Sequence, residues 1–295
     1  MKRRRWAVTA LAVAACFGAA AARAQTAEPV AAEAAGSTTT AGWSLEAVGQ
    51  LSFTQTRFDN WGPGGENVVA WQGTFTGEAR ERRPVYTWAN TLKLAYGQNR
   101  TGEGAFLKTT DEIRLESVWT YLWLDDLNPF VALRGETQFT EGTKEIAGTR
   151  VAVSNFLDPG VFTESLGIGY TTGETFTTRL GAAAKQTVAD RHPVPYTDDP
   201  ETAAVETFRN EFGAEWVTDL KLQLSDLLRF ASKLEAFSGF ERLDATKVRW
   251  DNQLTAAVAP YVNVNFNLEL RYDRKVSPRR QLQQVLAVGL TYSLL

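Results

Sequence analysis

The sequence predicts an all-β chain, an antiparallel up-and-down transmembrane β-barrel of twelve strands. Three observations predict it. The N-terminus carries an export signal, the remainder is dominated by a period-two alternation, and the alternating segments are longer than soluble strands need to be.

The export signal comes first. Lys2, Arg3, Arg4 and Arg5 precede an apolar run from Trp6 to Ala22, and Ala22-Arg23-Ala24 supplies a small-residue cleavage site ahead of Gln25. A charged head, an apolar middle and an A-x-A site form a secretory signal peptide, here residues 1–24 with cleavage between Ala24 and Gln25. Val13-Ala14-Ala15-Cys16 also fits a lipoprotein box. Against that reading, the apolar run continues from Phe17 to Ala22. Cleavage after Ala24 removes five of the 31 basic residues and none of the 34 acidic ones, so 26 bases face 34 acids and the net charge is −8. A polyanion binder is expected to be basic, which argues against a nucleic-acid partner. The sole cysteine leaves with the signal, and disulfide chemistry with it. Residues 25–41, rich in Ala, Thr, Glu and Ser, read as a flexible leader, and 42–295 as one unit. No later stretch approaches the ~20 apolar residues of a spanning helix, so any membrane entry is by strands.

Alternate residues of a strand point to opposite faces, so each segment divides into two sets. In the first, Trp43, Leu45, Ala47, Gly49, Leu51 and Phe53 oppose Glu46, Gln50 and Ser52. Trp71, Gly73 and Phe75 then oppose Gln72, Thr74, Thr76 and Glu78, and Trp88, Leu92, Leu94 and Tyr96 oppose Thr91 and Lys93. Ile113, Leu115, Trp119 and Tyr121 oppose Glu112, Arg114 and Glu116. Val131 and Leu133 oppose Arg134 and Glu136. The second half repeats this, from Phe162, Leu166, Ile168 and Tyr170 through Leu180 (against Arg179 and Lys185) and Phe212 and Trp216 (against Arg209, Glu211 and Glu215). Leu234 opposes Lys233 and Glu235, Trp250 opposes Arg249 and Asp251, and Leu268 and Leu270 oppose Glu269 and Arg271. The last segment presents Leu282, Leu286, Val288, Leu290, Tyr292 and Leu294. Twelve segments of roughly ten to fourteen residues match the ~9–11 that cross a bilayer at a tilt. Short connections alternate with long ones, notably 141–160 and 189–204. Even strand number with short turns at one end and long loops at the other is an outer-membrane layout.

The charges sharpen the prediction. Glu112, Arg114, Glu116, Arg134, Glu136, Arg179, Arg209, Glu211, Glu269 and Arg271 all fall on polar faces, as candidates for a lumen charge network. Glu164 is the one charge assigned to an apolar face, and Asn90, Asn210 and Asn252 on those faces have no account in the sequence. A basic residue facing mid-bilayer lipid costs about 2–4 kcal/mol, so the charged faces belong inside. A soluble β-sandwich has the same alternation with the faces reversed. Strand length, loop alternation and the export signal favour the barrel.

The stretch Asn60-Trp61-Gly62-Pro63-Gly64-Gly65-Glu66-Asn67 reads as a loop tip. No Gly-Lys-Ser/Thr follows and a strand comes next, which excludes a P-loop. Trp61 is expected at the membrane interface or as a cap on the lumen. "FTQTRFDNWGPGGEN" resembles the motif Q-T-x-F-x-N-W-x-x-G-G-x-N that opens a family of uncharacterised outer-membrane barrel proteins. "TWANTLKLAYG", "KTTDEIRLES", "SNFLDPG", "LGIGY", "VNVNFNLELRYD" and "VLAVGLTYSLL" continue the resemblance in order. It implies architecture and placement in a bacterial outer membrane, and brings no activity. Asn60, Trp61, Gly64, Gly65 and Asn67 are its motif-loop residues. Gly289, Tyr292 and Leu294 fit the spacing of a barrel-assembly signal, with Leu295 in place of a terminal aromatic.

Function is less specified. His192 is the sole histidine, in Arg191-His192-Pro193 of a long loop, and with no mature cysteine a metal site lacks ligands. No cofactor is expected. Asp190, Asp198 and Asp199 are loop acids with at most weak calcium affinity. A non-enzyme is expected, either a narrow channel or small-solute transporter, or a structural or surface-interaction barrel acting through 141–160 and 189–204. Outer-membrane lipid and the barrel-assembly machinery are the expected partners; the ligand is left unnamed.

Overall fold

The structure, a computed structural model, describes residues 42–59, 65–146, 149–194, 196–198, 203–274 and 277–294. The signal peptide with Ala24 and Gln25, Cys16, and Asn60, Trp61 and Gly64 of the motif loop lie outside them.

Alternation of apolar and polar residues yields fourteen strands among the described residues, twelve of which close a barrel. In chain order these are β1 (Gly42–Thr56), β2 (Val68–Arg82), β3 (Tyr86–Thr101), β4 (Leu107–Tyr121), β5 (Leu127–Thr137), β6 (Gly142–Ile146), β7 (Thr149–Ser154), β8 (Gly160–Thr172), β9 (Phe176–Val188), β10 (Phe208–Ser225), β11 (Leu228–Gly239), β12 (Arg242–Ala259), β13 (Val262–Tyr272) and β14 (Gln281–Ser293). The ring runs β1-β2-β3-β4-β5-β8-β9-β10-β11-β12-β13-β14, each pair antiparallel, and closes where β14 pairs with β1 from Val48↔Ser293 to Phe53↔Val288. β6 and β7 form a separate hairpin within the 141–160 loop, which the sequence reading treated as loop throughout. Among the described residues no helix is long and apolar enough to cross a membrane.

Burial is inverted relative to a water-soluble fold. Trp43, Leu51, Leu115, Leu133, Leu180, Phe212, Trp216, Leu286 and Leu290 are exposed, whereas Arg114, Glu116, Arg179, Glu215 and Glu235 are buried. The outside is therefore apolar and the inside ionic. A sandwich would have buried the first set, so the alternative of reversed faces is excluded.

Aromatic side chains gather at the short-turn rim. Trp43 packs edge-on against Trp88 at 5.7 Å between centroids, Tyr86 lies 6.0 Å from Trp119, and Tyr261 stacks on Tyr292 at 5.9 Å. Rings with an apolar body and a polar tip favour this position at a lipid–water boundary. On the wall, tryptophan N–H groups are satisfied by hydroxyls one strand away. Trp88 donates to Ser117 at 2.9 Å, Trp216 to Thr178 at 2.9 Å, and Trp250 to Ser232 at 3.0 Å. This accounts for Asn252 among the outward asparagines. Asn90 is in register with Ser117, and the Ser232 hydroxyl donates onward to Asn252 Oδ1 at 2.9 Å. In hydrocarbon each unpaired polar group costs several kcal/mol, which favours the chain from Trp250 through Ser232 to Asn252 Oδ1. Asn210 sits in register with Gln186, which donates to Glu164 at 2.9 Å. The reading of Glu164 as the one charge on an apolar face requires correction. Glu81 and Asp111 also hold outward register positions, opposite Trp88 and Tyr96. Both lie near strand ends and are hydrogen-bonded, Glu81 to Arg83 at 2.8 Å and Asp111 to Lys108 at 2.8 Å.

Inward glycines admit the closest backbone approach. A Cβ on Gly167 would lie 2.1 Å from the Leu180 carbonyl oxygen, and one on Gly213 2.2 Å from that of Ser238. Only glycine permits such backbone approach within a strand.

Candidate functional site: a divided lumen

The inward faces of β4 and β5 present Glu112, Arg114, Glu116, Arg134 and Glu136, with charges of alternating sign two residues apart and therefore one above another along the wall. Opposite them β9 supplies Arg179, β10 Glu215, β11 Lys233 and Glu235, and β12 Arg249. Arg179 Nη2 donates to Glu116 Oε1 at 2.6 Å, and Lys233 holds the other oxygen of Glu116. Arg114 pairs with Glu235, and Arg134 with both Glu215 and Glu235, the last at 3.3 Å. Arg249 Nη2 stands 2.6 Å from Glu112 Oε1, and Arg249 Nη1 3.7 Å from Glu136. Lys93 holds the second oxygen of Glu112 at 2.9 Å.

Apart from Lys93 with Glu112, these contacts bridge strands that are not neighbours. β4 and β12 lie on opposite sides of the twelve-strand ring. Their contact divides the interior. On the side of β5, β8, β9, β10 and β11 the space is filled by the ion pairs and by Phe130, Val217 and Phe237. The Arg179 guanidinium lies 5.5 Å from the Phe130 ring centroid and the Lys185 ammonium 5.4 Å from that of Phe237. Such cation–π contacts add about 0.5–2 kcal/mol when partly desolvated.

A cavity of about 760 Å³ occupies the side bounded by β1, β2, β3, β13 and β14 and extends past the partition to β10 and β11 at the short-turn end. Its lining includes Gln50, Ser52, Gln72, Thr74, Gln253, Asn267 and Gln283. It reaches from Lys108, Gln138 and Gln281 at the long-loop end to Lys221 and Ala231, which lie close to the short turn between β10 and β11. Most charges that border it are paired, Lys93 with Glu112, Lys108 with Asp111, and Asp251 and Glu269 with Arg249, whereas Lys221 has no ion-pair partner among the described residues. Above the partition Glu211 pairs with Lys247 at 2.5 Å, and Arg271 pairs with Glu269 at the lumen edge.

The predicted charge network is thus placed inside, with one correction. Arg209 does not join it. Its guanidinium donates to the backbone carbonyls of Tyr196 at 2.8 Å and Asp198 at 2.9 Å, so it anchors a long loop. Lys247, which the sequence reading overlooked, occupies the network instead. Its two-residue offset from Arg249 was the available signal.

The long loops are ordered by one carboxylate. Asp158 of the S-N-F-L-D-P-G stretch is buried and accepts hydrogen bonds from the backbone N–H groups of Arg191 (3.1 Å) and His192 (3.2 Å). In the motif loop, Asn67 Oδ1 accepts from Phe58 N at 2.6 Å and its carbonyl accepts from Gly102 N at 2.7 Å. Gly65 has φ +142, and a Cβ there would overlap the Phe58 ring at 2.6 Å, which accounts for the glycine. Of the assembly-signal residues, Gly289 faces inward and leaves room for Asn265 and Ser52, Tyr292 stacks outward on Tyr261, and Leu294 N donates to Ala47 O at 2.7 Å. Among the described residues no group of three or more His, Cys, Asp or Glu is arranged to hold a metal ion.

An apolar exterior, a closed even-stranded wall and an ionic interior define the class, a β-barrel of the outer-membrane type. Residues 53–142 match a family model described as "Protein of unknown function (DUF3078)", and residues 162–294 match one described as "Protein of unknown function, DUF481". No curated protein matches the chain. Solved structures similar to it include the translocator domain of autotransporter NalP from Neisseria meningitidis, at 14% identity and TM-score 0.37, covering 86% of this chain and 88% of that one. An outer-membrane channel from Pseudomonas putida F1 is similar at 10% identity and TM-score 0.41, covering 86% and 95%. The NanC porin is similar at 7% identity and TM-score 0.42, covering 84% and 100%. Likeness at this level concerns the course of the chain and carries no activity.

Proposed function

We propose that the chain is an integral barrel of the bacterial outer membrane that passes small solutes through a narrow aqueous conduit. The conduit runs beside a half-lumen locked by ion pairs. The observation that carries this reading is the cross-barrel contact of Glu112 with Arg249, which leaves on one side a polar cavity of about 760 Å³ running most of the barrel's length. Filled barrels pack side chains throughout, and wide porins leave a broad channel; a partitioned twelve-strand lumen lies between them. Outer-membrane placement is supported by the export signal and the apolar exterior. Lipid is then the partner of the outer wall, and Gly289, Tyr292 and Leu294 address the assembly machinery. The barrel works without enzyme chemistry, a reading that rests on the scarcity of reactive residue types in the sequence. Single-channel recording from purified protein in planar bilayers tests the conduit, which is expected to give small, steady conductance steps. A silent bilayer containing folded protein contradicts it.

A second reading, surface recognition through the long loops, is favoured by the Asp158 bonds to Arg191 and His192, which join two loops into one platform. Trimming the loops on intact cells and then measuring solute uptake separates the two readings.

A further inference from the structure

We infer that the conduit is selective for small, uncharged, hydrogen-bonding solutes, polyols above all. The inference rests on the channel reading above and concerns what the cavity's wall recognises.

One wall is rich in carboxamides and hydroxyls, with Ala95 and Val285 interspersed. Gln50 and Ser52 on β1, Gln72, Thr74 and Thr76 on β2, Thr91 on β3, Gln253 on β12, Asn267 on β13, and Gln281 and Gln283 on β14 offer carboxamides and hydroxyls. Each carboxamide presents two donors and one acceptor oxygen, and each hydroxyl both functions. Such a wall can exchange water for a solute hydroxyl without regard to its orientation. The facing wall is ionic, yet most of its charges are committed to each other. Glu112 is held by Lys93 and Arg249, Glu116 by Arg179 and Lys233, and Asp251 and Glu269 by Arg249. Ion selectivity requires a ring in which one sign dominates. Along most of this wall an entering anion or cation meets only compensated charges, Lys221 at the short-turn end being the exception; it must shed water in a confined space and disturbs pairs already made. A neutral polyol loses only hydrogen bonds that the amide wall restores.

The test uses the full mature chain in liposomes and three solutes sharing one six-carbon acyclic skeleton: sorbitol, gluconate and protonated N-methylglucamine. Osmotic swelling is expected to be several-fold faster with sorbitol than with either ion, and the reversal potential in a potassium chloride gradient to lie near zero. Replacing Gln72 and Asn267 with leucine, in protein shown to be folded by its heat-modifiable mobility, lowers the sorbitol-to-gluconate ratio several-fold. Replacing Lys93 with glutamine uncovers negative charge and shifts the reversal potential towards cation selectivity. If gluconate or N-methylglucamine enters as fast as sorbitol, or if the leucine variant keeps the wild-type ratio, the selectivity inference is overturned and the channel reading stands. If no solute enters and no conductance is seen, the channel reading itself fails and takes the inference with it.

Discussion

Arg249 on β12 reaches across the barrel to Glu112 on β4, and their charged atoms stand 2.6 Å apart. The two strands are as far apart around the ring as twelve strands allow. Their contact therefore acts as a strut, and breaking it enlarges the passage. Arg249→Ala is expected to raise single-channel conductance and broaden its distribution of levels. A conductance unchanged by the substitution removes the partition from the account.

Glu116 compensates two cations, Arg179 and Lys233, and is only 8% exposed. Glu116→Gln leaves both without their shared carboxylate. Breaking a buried pair by removing one partner costs about 3–5 kcal/mol. In detergent micelles the urea midpoint of the folded, heat-modifiable form is expected to fall accordingly. Glu116→Gln combined with Lys233→Gln is expected to recover part of the loss.

The lipid face and the lumen face should respond oppositely to charge. Leu166, 64% exposed in the middle of β8, faces outward. Leu166→Arg is expected to cost about 2–4 kcal/mol in bilayer-folding equilibria, the range for a cation at the midplane. Gln283→Arg, on the conduit wall, is expected to leave folding nearly unchanged and to alter ion selectivity instead.

The strand pattern made much of this legible in advance. Period-two alternation identified the twelve wall strands and which residues face out, because side-chain direction is a local property of extended chain. The partners within the lumen were not legible. Which carboxylate meets which guanidinium depends on stagger accumulated over two to five intervening strands, and no local window carries that information. Arg209 shows the same limit: its alternation matches that of the lumen cations, yet its position at the rim brings loop carbonyls within reach. Asn252 looked anomalous because its partner, Ser232, lies on the neighbouring strand.

Ser232 receives the Trp250 indole N–H and donates to Asn252 on the outer wall. Ser232→Ala strands a donor and an acceptor in an apolar medium. The cost is expected to be about 1–3 kcal/mol, read from the folding equilibrium in lipid. Adding Trp250→Phe is expected to cost less than the sum of the two single changes. Full additivity contradicts the hydrogen-bonded chain.

Asp158 secures the 189–207 loop through the N–H groups of Arg191 and His192. Hydrogen bonds to a charged acceptor contribute about 1.5–3 kcal/mol each. Asp158→Ala is therefore expected to accelerate trypsin cleavage after Arg191 by roughly tenfold or more, since 1.4 kcal/mol is a factor of ten. Equal cleavage rates in both proteins contradict the tie.

The orientation of the wall is tested most directly by quenching tryptophan emission with lipids brominated along their acyl chains. Trp43, Trp88, Trp119, Trp216 and Trp250 all face outward, so reconstituted protein is expected to lose most of its emission to the brominated lipid and little to aqueous acrylamide. Emission untouched by the brominated chains, from a chain that stays monodisperse in buffer without detergent, would contradict the account.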